Sequence, residues 1–215
     1  MTFPHSPITL LAESSEEVQL KNTGKAEWEA QLTLPVWSEY TFDYKAFDLT
    51  QHSLETLRTA ALHRETIAPV VELCVYTAEQ DSLPNSAGKH SAALQYFLIH
   101  QADIQTKMLP ELWRMVIECY QDSYNDIVAP GADHSATWEA AEEIANNPSS
   151  QDLESLKLML SIQRIVLYPE SKAGNAQLGL QFECAWDIEH GLEILLEQGG
   201  IVDIDAIGSV DTRDY

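Results

Sequence analysis

Apolar residues along the chain recur with two spacings, every second position and every third or fourth, and the switches between them mark out the elements. Over residues 26–34, Trp28, Ala30, Leu32 and Leu34 alternate with Glu27, Glu29, Gln31 and Thr33, which predicts a strand buried on one face. After Pro35, Tyr40, Phe42, Tyr44 and Ala46 alternate with Thr41, Asp43 and Lys45, predicting a second strand antiparallel to the first. Upstream, residues 8–11 and 18–20 are short-strand candidates around a turn at Ser14-Ser15-Glu16-Glu17. Leu54, Leu57, Ala61 and Leu62 then take helical spacing over 53–65, with Ser53 as N-cap. Pro69 ends that helix, residues 70–77 are β-branched and apolar enough for a third strand, and the polar stretch 79–89, with Pro84 and Gly88, predicts a loop.

From 90 to 120 the period is helical. Leu94, Phe97 and Leu98 form one stripe, and Met108, Leu112, Met115, Val116 and Cys119 another. Asp103 is a candidate N-cap, and Pro110 calls for a kink or a fresh helix start. Residues 122–136 read as a polar, mobile excursion, 137–146 as a small helix stopped by Asn146-Asn147-Pro148, and Asp152 as the cap of a helix through Leu160. Strands return at 162–168, 177–186, 192–196 and 201–204, with turns at Gly174-Asn175 and Gln198-Gly199-Gly200, the last closing a hairpin. Strands, then helices, then strands predict a single α+β domain in which a mostly antiparallel sheet packs on a central group of helices. The expected organisation is a lead-in over 1–25, the domain over 26–207 and a tail over 208–215.

A length of 215 residues suits one domain, and the charge narrows what it does. With 34 acidic against 12 basic residues, the formal charge of −22 repels phosphate, arguing against nucleic acid and for a basic protein partner. No apolar run approaches the roughly 20 residues that cross a bilayer, and the opening Met1-Thr2-Phe3-Pro4-His5-Ser6-Pro7 lacks the basic start of an export signal. Cys74, Cys119 and Cys184 are odd in number and each lies in an apolar segment, so they read as reduced, buried thiols. A cytoplasmic protein without membrane contact is the expectation.

The densest chemistry stands near the C-terminus, at Cys184, Trp186, Asp187, Glu189, His190 and Gly191. Asp187, Glu189 and His190 offer two carboxylates and an imidazole, the donors of a zinc, manganese or calcium site or of a hydrolytic base. The same residues also suit a structural corner. There Trp186 buries its ring, Asp187 bonds backbone amides two residues on, His190 bonds back to a carboxylate, and Gly191 supplies a positive φ. Elsewhere His63, His90, His100 and His134 read as scattered surface histidines, no Gly-rich loop cradles a phosphate, and no Gly-x-Ser-x-Gly elbow is present. No cofactor is expected.

The string Phe182-Glu183-Cys184-Ala185-Trp186-Asp187-Ile188-Glu189-His190-Gly191-Leu192 resembles the closing motif F-x-C-x-W-D-x-E-H-G-L of a bacterial domain family of unknown function. Trp28, Leu32-Thr33-Leu34-Pro35-Val36-Trp37, Ala93-Leu94-Gln95-Tyr96-Phe97-Leu98 and Tyr120 fit the same family in order, so the resemblance spans about residues 26–207. It implies a cytoplasmic protein similar to the small acidic immunity proteins of polymorphic toxin systems, and it implies no catalytic residue. Glu193 departs from it, standing where the family usually has glycine, and residues 203–208 follow its closing stretch only loosely.

The acidic residues are clustered. Glu111, Glu118, Asp122, Asp126, Asp133, Glu139, Glu142, Glu143, Asp152 and Glu154 face Arg114 alone, and nine more carboxylates follow from Glu183 with Arg213 alone. If the loop after Tyr120 and the terminal hairpin share a side, they make a surface that steers a cationic partner, with Asp122, Asp126, Asp133, Glu139, Glu142 and Glu143 as its contact candidates. The expected role is therefore an immunity protein that neutralises a basic, nuclease-type toxin by direct binding. The alternatives are a metal-binding or hydrolytic domain on Asp187, Glu189 and His190, and an interaction domain of other role.

Overall fold

The computed structural model describes residues 8–11, 17–22, 27–40, 42, 59, 62, 67–76, 83–127, 153–170 and 175–210. Eight strands lie side by side in chain order: β1 Ile8–Leu11, β2 Glu17–Asn22, β3 Glu27–Thr33, β4 Val70–Tyr76, β5 Leu160–Glu170, β6 Ala176–Cys184, β7 Asp187–Glu197 and β8 Gly200–Asp205. Among the described residues the β1–β2 hairpin pairs with β3 through Lys21↔Glu29 and Asn22↔Trp28, so β3 to β8 form the main six-stranded sheet. Between β4 and β5 run the long helix α1, Leu83–Ile127, and the short α2, Leu153–Lys157.

This architecture corrects the expected fold class. The sheet is mixed, because β4 and β5 are parallel while every other pair is antiparallel. One main helix covers it rather than a central group, and strand residues outnumber helical ones among the described residues. Alternation reveals a strand but not its direction, and a helical crossover returns the chain to the end where β4 began. A kink or a fresh helix start was expected near Pro110, yet α1 runs unbroken through it. Pro110 and Thr106 are both exposed, so the Thr106 carbonyl that loses its N–H partner lies on the watery side of the helix. The break comes instead at His100, whose φ of −106° and ψ of 19° leave the helical region.

Other boundaries shift for local reasons. Tyr40 and Phe42 are not a strand paired with β3; Pro35–Trp37 is a 3₁₀ turn, both aromatic rings drop into the core, and the Phe42 N–H donates to Leu160 O at 3.1 Å. β3 pairs with β4 over its whole length, from Glu27↔Tyr76 to Thr33↔Val70. The loop expected over 79–89 is helical from Leu83, with Pro84 in the first turn, where its missing N–H has no intrahelical duty. The helix expected to reach Leu160 stops at Lys157, and Leu160 opens β5. Of the helix expected over 53–65, Thr59 and Leu62 are described, and both are helical and exposed. Tyr44, Ala46, Asp152 and the expected helix over 137–146 lie outside the described residues.

One face of the sheet receives α1 through Leu94, Phe97, Ile104, Met108, Leu112 and Val116. Trp37 sits at its centre, 5.8 Å from Phe182 and 6.1 Å from Phe97 between ring centroids, and its indole N–H donates to Gln101 Oε1 at 2.8 Å. β1 at one edge and β8 at the other both touch α1, so the sheet curls around the helix. No helix among the described residues is long and apolar enough to cross a membrane.

Candidate functional site

β6 ends at Cys184, Ala185 and Trp186 make the turn, and Asp187 pairs with Cys184 as the first residue of β7. The corner residues expected in a turn therefore belong mostly to a strand. Phe182 next opposes Leu192, so residues 188–191 bulge out of β7 opposite Glu183. Asp187 holds the bulge: its Oδ1 accepts the His190 backbone N–H at 3.0 Å and lies 3.0 Å from His190 Nδ1. Cys184 Sγ donates to Asp187 O at 3.4 Å, and Trp186 packs half-buried against the core. Gly191 takes φ +66°, and a Cβ there would stand 2.6 Å from Phe182 O, so the bulge needs glycine twice over.

Chemically, Asp187 and His190 make a carboxylate-oriented imidazole, but on open surface, with His190 66% exposed. Glu189 is exposed and takes no part in these bonds. Among the described residues no three His, Cys, Asp or Glu side chains are grouped to hold a metal ion. Cys74 and Cys184 are buried thiols.

Two buried polar residues escaped the sequence reading. Glu193, fully buried, accepts from Tyr168 Oη at 2.6 Å, Gln181 Nε2 at 3.1 Å and the Gly208 N–H at 3.3 Å. It stands over Gly179, where any Cβ would overlap its Oε1. Period-two alternation marks Glu193 as pointing away from α1 but does not show what covers that face. His90 is fully buried as well, not a surface histidine, and its Nε2 lies 2.9 Å from Tyr168 O, tying α1 to β5.

The acidic candidates fall into two sets. Asp122 and Asp126 lie on the last turns of α1, whereas Asp133, Glu139, Glu142 and Glu143 lie outside the described residues. Helical register places positions 111, 118, 122 and 126 along one stripe of α1. The part of that stripe up to Glu118 and strand β8 together flank an open groove of about 770 Å³. Two cations line it, Lys107 and Arg114. Arg114 donates to Glu111 Oε2 at 3.0 Å and Glu118 Oε1 at 2.8 Å, and these bonds raise its pKa. Lys157 bonds Glu39 at 2.8 Å and Glu154 at 2.9 Å; burial disfavours its charge, but the two carboxylates outweigh that and its pKa is raised. Arg164 is balanced the same way, burial against a 2.7 Å bond from its Nε to Glu72, with a raised result.

Residues 49–211 match the model of a protein family described as a domain of unknown function, DUF6985. The match does not reach Trp28 or the stretch 32–37. No curated protein and no solved structure matches the chain.

Proposed function

We propose a role for this chain, which belongs to the DUF6985 family: it is a bacterial cytoplasmic binding protein of immunity type, and it neutralises a basic toxin by direct contact. The observation that carries this reading is the uncompensated negative charge. Arg114 and Lys157 are each held by two carboxylates and Arg164 by one, so these cations are taken up by their own neighbours in a chain whose formal charge is −22. Such a surface speeds encounter with a cationic protein and can occupy the groove where that protein takes a phosphate chain. The closing motif and the acidic run after Glu111 support the same reading.

The test starts from the reading frame beside this gene. Expressed alone, its C-terminal domain should stop cell growth, and co-expression of this chain should restore it. Replacing Asp122, Asp126, Glu142 and Glu143 together by alanine should weaken the purified complex about tenfold or more and flatten its salt dependence. A non-toxic neighbour, or a complex indifferent to the fourfold change, would remove the proposal.

A further inference from the structure

Where the first half of α1 crosses the β7–β8 turn, two spaces adjoin. The outer one is an open cleft of about 390 Å³ beside Lys89 and Asn175, and the inner one is a void of about 30 Å³ among Phe97, Ile104, Leu178 and Leu196. Ala93, Tyr96, Ala176 and Gln198 line both, so these residues form the partition between them. The cleft alone falls within the roughly 300–1,000 Å³ of pockets that enclose a ligand. The void has room for about two water-sized bodies, but the side chains of Phe97, Ile104, Leu178 and Leu196 offer a water no hydrogen bond, and an apolar group suits it better.

Tyr96 is the movable part of that partition. Its ring lies across Gly199, which takes φ +75° and at which a Cβ would stand 2.1 Å from Tyr96 Cε1. The ring also stacks on His100, 4.3 Å between centroids, at the point where α1 leaves helical geometry. Tyr96 is 37% exposed, and among the described residues no hydrogen bond holds its hydroxyl, so packing alone sets its place. A side chain held in this way turns to another rotamer in water without giving up a polar contact. The polar groups at the rim are already engaged: Asn175 donates to Glu197 at 2.9 Å, Gln198 donates to Asn175 at 2.8 Å, and Lys89 has a partner of its own. The rim therefore selects no charged ligand, and recognition falls to the apolar end. We propose that the two spaces form one site for a small uncharged ligand with an unbranched alkyl end, gated by Tyr96. The ring swings out, the alkyl end enters the void, and the polar head stays in the outer cleft. The site draws on none of the acidic residues of the binding role.

The probe is 1-hexanol, titrated into the full chain carrying ¹³C-labelled Ile and Leu methyls, with 1,6-hexanediol as a control of equal length. Hexanol should shift the methyls of Ile104, Leu178 and Leu196, and the diol should bind about tenfold more weakly because its second hydroxyl would be buried without a partner. Ala93→Val, which adds two methyls at the partition, should weaken hexanol by about the same factor while the circular dichroism of the chain stays that of the parent. Tyr96→Ala removes the gate and should speed hexanol exchange about tenfold or more at similar affinity. Methyl shifts centred elsewhere, no shift up to the solubility limit of hexanol, equal binding of alcohol and diol, or indifference to Ala93→Val would overturn the site. An exchange rate unchanged in Tyr96→Ala would overturn the gate.

Discussion

Tyr40 brings a hydroxyl into the core that finds no hydrogen-bond partner among the described residues, with its ring 4% exposed and 4.9 Å from Trp37. A buried polar atom left unpaired costs about 1–3 kcal/mol, so Tyr40→Phe should raise stability at pH 7 by about 1 kcal/mol in urea denaturation. Burial, reinforced by the carboxylates of Glu154 and Glu39, also pushes the phenol far above its ordinary range. The unfolded phenol ionises from about pH 10 while the folded one stays protonated, so above that pH the native state holds more protons and stability falls as pH rises. Raised Lys157 acts in the same direction: its contribution is complete below the unfolded lysine value and is lost as pH climbs through the folded one. The alkaline decline should therefore be shallower in Tyr40→Phe than in the parent, and equal declines would show that the phenol ionises freely. Nothing in the alternation over 40–46 foretold this, because an aromatic residue dropped into the core after a 3₁₀ turn has the same spacing as one on a strand. Gly191 was legible, since a glycine after Asp-x-x-His at a corner announces a positive φ.

Glu193 shows how the elements are fastened on the face away from α1. It joins β5 through Tyr168, β6 through Gln181 and the turn after β8 through Gly208, while Ile207 reaches the bulge at Gly191. Glu193→Ala would remove the acceptor of buried Gln181, of half-buried Tyr168 Oη and of the Gly208 N–H, at a cost of about 3 kcal/mol, and should speed amide exchange over residues 206–210. Glu193→Leu should cost as much if the donors matter and much less if only packed volume matters, and urea denaturation of the two variants separates these cases. At this scale the sequence was legible wherever the signal was local. β3, β4 and β8 stand close to their expected ranges, β7 begins at Asp187 rather than Leu192, and Gln198 and Gly199 take the positive φ values of 50° and 75° that their turn calls for. It was illegible where the outcome depended on surroundings. Pro110 is harmless because it faces water, and the true break at His100 carries no compositional mark beyond Asp103, whose carboxylate lies 3.5 Å from the imidazole.

Across the whole molecule the acidic surplus has opposite effects on folding and on binding, and that difference makes it measurable. Folding gathers carboxylates that the extended chain keeps apart, so a chain at −22 should lose stability to its own repulsion. The reach of that repulsion is about 30 Å at 0.01 M salt and about 8 Å at 0.15 M, which is the difference between carboxylates interacting across the domain and only with near neighbours. Raising sodium chloride over this interval should therefore lift the thermal midpoint by several degrees, roughly the effect of 1–2 kcal/mol in a domain of this size. Sucrose at equal osmolality serves as the uncharged control. A complex with a cationic protein should weaken over the same interval, because salt screens the attraction across an interface as well as the repulsion within one. A midpoint that does not respond to salt would mean the carboxylates are already neutralised locally, and the anionic exterior would then have no surplus with which to draw a partner in.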